Sequence, residues 1–210
     1  MIACLAQSAL ALLMIASPGV WGETTIDVGG GQHIDAPVPE GFSALEDADP
    51  SFRTFLGRAN PPGDRIIEVF LMPEDFAALK SGQNPPRERL ITLDIMGTGQ
   101  GDSWSEADFQ KYVRVIRNMD KSHPARVSNA IHDLWLKKKA AEPSLPNVGV
   151  PEYLGLVVDQ TNAVGVMRGV AVDSARGLER QIFANVYIYA GGRMFVFNLN
   201  AHVHDDSDLL

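Results

Sequence analysis

The chain has 210 residues, with 18 Lys+Arg against 26 Asp+Glu and a single cysteine, Cys4. That is the size of one ordinary globular domain, large enough to bury a core without staples, and one cysteine excludes a disulfide framework. A formal net charge of −8 argues against an electrostatic grip on nucleic acid or on anionic lipid, because each rewards a concentrated basic surface.

Residues 2–16 are almost entirely Ala, Leu, Ile and Met, and Ser17-Pro18-Gly19 breaks the run before Val20-Trp21-Gly22. The apolar stretch is shorter than the roughly 20 residues a membrane-crossing helix needs. It reads as an export signal spanning 1–22, cut after Gly22, with no transmembrane span left after cleavage. The other reading, a buried core helix, fits the Pro-Gly break less well. Export places the mature chain in the periplasm or outside the cell. Residues 23–32 contain Gly29-Gly30-Gly31, whose backbone is costly to fix, and are expected to be a flexible linker. A single domain then spans 33–210.

That domain opens with an extended segment, His33 to Phe42, whose prolines confine it to an edge or turn. A short helix follows Asp49-Pro50, and Arg65 to Met72 is a strand. Pro73-Glu74-Asp75 opens a helix ending near Lys80, with Pro and acids in its first turn. Arg89 to Met96 is the next strand. Phe109, Tyr112, Val113 and Ile116 keep the i, i+3, i+4, i+7 rhythm of a helix with one buried stripe. Its cap is either Ser103 with Glu106 or Ser105 with Asp108. A second helix from Ala125 to Ala141 is expected to bury Ile131, Leu134 and Trp135, with Lys137-Lys138-Lys139 at its negative end.

The last third reads as four strands, 152–159, 163–173, 180–189 and 193–204, joined by short turns and therefore antiparallel. The first of these are apolar on both parities, so they are covered on both faces. The fold class is α+β: an antiparallel β-sheet flanked by helices on both faces. In the final strand Phe195, Phe197, Leu199, Ala201 and Val203 share one face, and Asn198, Asn200, His202 and His204 share the other. Asp205-Asp206-Ser207-Asp208 then reads as the cap of a C-terminal helix that the sequence cuts short.

The leader, the Pro37-Val38-Pro39-Glu40-Gly41-Phe42 turn and the order strand, helices, four-strand meander together resemble the PsbP-like α/β/α sandwich. That group includes an extrinsic photosystem II subunit and bacterial envelope proteins. The resemblance implies a non-catalytic binding or assembly module and brings no catalytic residues with it.

Three constellations point to chemistry. Gly101-Asp102-Ser103 is similar to the nucleophile block of GDSL-type esterases, but that family's Asp-x-x-His base has no counterpart, and a glycine-rich loop before a helix explains the same residues. Gly97-Thr98-Gly99-Gln100-Gly101 nearly spells a dinucleotide fingerprint, yet Asp102 stands where the third glycine belongs and would meet the anion. His202-x-His204 places two imidazoles on one strand face, Cα atoms about 6.6 Å apart. With Asp205 or Asp206 they could hold Zn or another divalent metal; otherwise they continue the polar row of Asn198 and Asn200. His33 and Asp35 could complete such a site if the first segment lies beside the last strand. Trp104, Trp135, Tyr187 and Tyr189 are expected in the core rather than around a pocket.

Two readings of function follow. One is an exported, non-catalytic binding or assembly module with a protein partner in the cell envelope and no cofactor, binding through Asn198, Asn200, His202 and His204. The other is a metal-dependent or serine hydrolase with a site of His202, His204 and Asp205.

Overall fold

The computed structural model describes residues 23–29, 31–45, 50–57, 63–83, 89–97, 103–122, 124–143, 145–174 and 177–203. The proposed leader, 1–22, and the C-terminal segment, 204–210, lie outside them.

The residues expected to form a linker instead build a hairpin. Strands β1 (Glu23–Gly29) and β2 (Gln32–Pro37) pair antiparallel. The glycines supply the turn: Gly29 and Gly31 sit at φ 89° and 71°, a region other residues enter only at a cost. Alternation does the rest, since Ile26, Val28 and Ala36 point inward and are 2 to 4 % exposed.

The main sheet has eight strands among the described residues, in the order β3-β4-β5-β10-β9-β8-β6, with β7 also paired to β8. They are β3 (Ser43–Ala44), β4 (Arg65–Leu71), β5 (Arg89–Ile95), β6 (Asn147–Val148), β7 (Glu152–Asp159), β8 (Ala163–Ser174), β9 (Gly177–Ala190) and β10 (Arg193–Val203). Every described pairing is antiparallel. β10 lies between β9 and β5, so the end of the chain stitches the meander to the early strands. Four helices accompany the sheet: α1 (Pro50–Gly57), α2 (Pro73–Lys80), α3 (Glu106–Ser122) and α4 (Pro124–Ala141).

Strand parity divides the sheet into two faces. On one, Phe195 and Phe197 of β10 pack with Leu93, Ile95, Val186, Ile188, Ile67 and Phe70, and the cover is the hairpin through Ile26, Val28 and Ala36. On the other, α3 lays Phe109, Val113 and Ile116 on Val164, Val166 and Met194. Further along that second face, Phe52 and Leu56 of α1 and Phe76 and Leu79 of α2 pack with Val69 and Leu71. The expectation of helices on both faces is therefore met on one: among the described residues a β-hairpin covers the other. The physical reason is economy, because a two-stranded ribbon with one apolar side buries a sheet face as well as a helix does.

The ends of α3 and α4 follow local chemistry. Ser105 Oγ accepts the Asp108 N–H at 3.1 Å and donates to its carboxylate at 2.7 Å, so the second of the two expected caps forms. In α4 the inward stripe is Ser128 with half-buried Ile131 and Trp135, while Leu134, expected inside, is 65 % exposed. The small Ser128, 5 % exposed, marks the side turned inward, and Leu134 lies well round the helix from it. His132, Trp135 and Lys139 bond the carbonyls of Val148, Pro146 and Leu145, tying α4 to the chain that enters β6.

Candidate functional site

Between the α3 cluster and the α1/α2 cluster, the helix-bearing face carries a band of polar side chains, and cross-strand register explains the grouping. Thr92, Asn198 and Asn185 lie in one row across β5, β10 and β9. Leu90, Asn200, Phe183 and Arg168 form the next row, and His202, Gln181 and Val170 the one after. Each strand contributes every second residue to this face.

The first row is a directional chain of hydrogen bonds. Asn198 Nδ2 donates to Asp94 Oδ2 at 2.9 Å and to Thr92 Oγ1 at 3.2 Å. Its Oδ1 accepts from Asn185 Nδ2 at 2.6 Å, and Asn185 Oδ1 faces Arg168 Nη1 at 3.5 Å. A carboxylate only accepts and a guanidinium only donates, so the two ends fix both amide orientations. Donors point toward Asp94 all the way from Arg168, across four strands. Asp94 is 4 % exposed and Thr92 8 %, which places the carboxylate end of the chain in the interior.

His202 stands at the far end of the band. Its Nδ1 lies 3.1 Å from Glu179 Oε2, with side-chain exposures of 11 % and 18 %, and its Nε2 lies 3.1 Å from Gln181 Nε2. Since the Gln181 amide nitrogen only donates, His202 Nε2 accepts and the proton sits on Nδ1, facing the carboxylate. Both ring nitrogens thus already have protein neighbours, and a metal at His202 would displace one of them. His204, Asp205 and Asp206 lie outside the described residues. Among the described residues no group of three or more His, Cys, Asp and Glu side chains is arranged to hold a metal ion. Asn200, half-buried in the middle row, has its Oδ1 covered and without a hydrogen-bond partner among the described residues.

The remaining sequence candidates are placed elsewhere. His33 and Asp35 are exposed on β2, in the hairpin that covers the opposite face, so they do not join His202. Gly101 and Asp102 lie outside the described residues, and Ser103 is exposed just before α3. The aromatic residues split. Phe109 stacks on Tyr189 at 5.5 Å, and Tyr112 meets Tyr187 edge-on at 5.1 Å and Trp104 at 6.0 Å, whereas Trp135 belongs to α4.

The aromatic cluster borders the polar band. Burial holds the Tyr112 phenol far above the ordinary tyrosine range, Tyr187 reinforces that shift through its hydrogen bond, Asp64 adds to it, and Arg168 opposes it. Asp64, just ahead of β4, has its own carboxyl raised by burial although it accepts the Gly97 N–H at 3.1 Å. The partners absent from the sequence reading are therefore Asp94, Thr92, Asn185 and Arg168. The signal for them was available: each is a polar residue set inside an otherwise apolar strand.

No protein-family model matches the chain, and no curated protein matches it. Among solved structures it is similar to the Ran-binding protein Mog1p of Saccharomyces cerevisiae, at 14% identity and a TM-score of 0.33 over 88% of this chain and 79% of that one. It is also similar to LpqN of Mycobacterium tuberculosis, a protein involved in cell envelope biogenesis, at 15% identity and a TM-score of 0.35 over 91% and 83%. At these scores neither neighbour passes a function or a site to this chain.

Proposed function

We propose that this chain is an exported, non-catalytic binding or assembly module of the bacterial cell envelope, PsbP-like in its layered α+β design, with the helix-bearing sheet face as its working surface. The supporting observation is that the polar groups of this face are committed to one another. Asn198 bonds to three neighbours, and His202 sits between Glu179 and Gln181. A catalytic acid or base is instead held against the place where a reacting atom will sit. A network of this kind fixes side-chain positions and leaves the work to contact. The leader-like residues 2–16 support export to the periplasm or medium, and the net charge of −8 supports a protein partner over a nucleic acid. Among the described residues no helix is long and apolar enough to cross a membrane.

Co-purification from envelope extracts tests this reading, using the full chain and a variant carrying Asn200→Ala with His202→Ala. The expected result is an envelope protein enriched by the first and lost by the second, with a mature N-terminus at Glu23 by mass spectrometry. Retention of residues 1–22 on a chain confined to the cytoplasm would refute it.

A further inference from the structure

Arg168 lies on β8 between Phe183 of β9 and Tyr153 of β7 in cross-strand register. It is half-buried, and among the described residues its one hydrogen bond is the long contact to Asn185, at 3.5 Å. No carboxylate pairs with it there, although acids outnumber bases 26 to 18 in the chain. A partly desolvated guanidinium is costly to leave without an acceptor, and a planar fork of five donors matches a carboxylate held by two oxygens.

We infer that Arg168 anchors a binding site for a carboxylate carried on a flat, apolar body, with Phe183 beside that body and Asn185 setting the angle of the guanidinium. The hydrogen-bond chain supports the role: Asn185 is held by Asn198, and Asn198 by buried Asp94, so the arginine stands at the outer end of a braced relay. An aromatic ring beside a cationic fork is the chemistry that recognises an aromatic or acyl acid over a bare anion. The inference rests on the reading of this face as the binding face, and it names the ligand chemistry at one end of it.

The test is a titration of the full chain followed by amide chemical shifts and by calorimetry. The probes are benzoate, N-acetylphenylalanine as an imitation of a protein's C-terminal carboxylate, and benzamide as the uncharged control. Saturable shifts at 165–169 and 182–186 are expected with at least one acid, with affinity at least tenfold weaker for benzamide and for Arg168→Gln. Arg168→Lys keeps the charge without the fork, so it should fold and still lose severalfold. A preference for N-acetylphenylalanine would indicate a chain terminus as the natural source, and a preference for benzoate a small acid. No saturable shift with either acid, or equal affinity in wild type and a folded Arg168→Lys or Arg168→Gln, overturns the inference. Neither of those outcomes touches the co-purification result, so the two proposals fail separately.

Discussion

Asn198 is the node of the four-strand relay, and its removal tests whether that relay holds the sheet together. Asn198→Ala deletes the donor to Asp94 Oδ2, the donor to Thr92 Oγ1 and the acceptor for Asn185 Nδ2. A neutral hydrogen bond contributes about 1 kcal/mol net and one to a charged group about 1.5–3 kcal/mol, so the loss should be about 4 kcal/mol. For a domain of this size each kcal/mol lowers the melting temperature by about 2–4 °C, giving a fall of about 8–16 °C. Urea denaturation followed by circular dichroism measures it. Asn185→Ala and the double variant complete a cycle whose coupling should reach about 1–2 kcal/mol, because the two amides bond directly at 2.6 Å. A loss below about 1 kcal/mol, with additive single variants, would show that water replaces the relay without cost and would refute the reasoning.

Gly97→Ala should unfold the chain or shift the loop after β5, because a Cβ there would stand 2.2 Å from the Gly63 carbonyl oxygen; a variant melting within about 2 °C of wild type would contradict the close approach. Asp64→Asn should stabilise the protein at neutral pH. Burial raises the Asp64 carboxyl above its ordinary 3.8, so the charged form is penalised on folding and the wild type regains stability as pH falls through the raised value. The gap between variant and wild type should close at acid pH, and a gap that widens there reverses the sign and refutes it. Ser105→Ala removes the acceptor for the Asp108 N–H and should cost about 1 kcal/mol by chemical denaturation. An unchanged midpoint would show the cap to be dispensable.

Much of the fold could be read from local pattern. The helix at Pro73–Lys80 was announced by its first-turn proline and acids, and β7 at Glu152–Asp159 by alternation between turn residues. The meander's antiparallel register followed from its short turns. Local pattern failed where the deciding contact is distant. Gly29 and Gly31 look like a linker until strand pairing across them buries Ile26 and Val28. Leu134 shares a helix with inward residues, and only the partner surfaces decide which arc of α4 is covered. The polar row of β10 was legible from parity, and so were Asn198, Asn200 and His202 as its members. Their partners were not, because the pairing of β10 with β5 joins residues about a hundred positions apart, as in Asn198 with Thr92. Arg168 and Asn185 seemed misplaced in apolar strands for the same reason.

The hairpin is latched at one atom. The Val28 carbonyl oxygen accepts from Arg65 Nη2 at 2.9 Å and from Arg193 Nη1, while Arg193 Nη2 reaches Gln32 Oε1 at 3.0 Å. One arginine opens β4 and the other opens β10. The first stretch to leave the ribosome is thus clamped by a residue made some 165 positions later, and Phe195 and Phe197 cannot be sheltered before then. Such non-local closure is slow and leaves apolar strands bare in the meantime. Passage across a membrane in an unfolded state, which export through a leader entails, suits a chain whose interior can shut only after its final strand arrives.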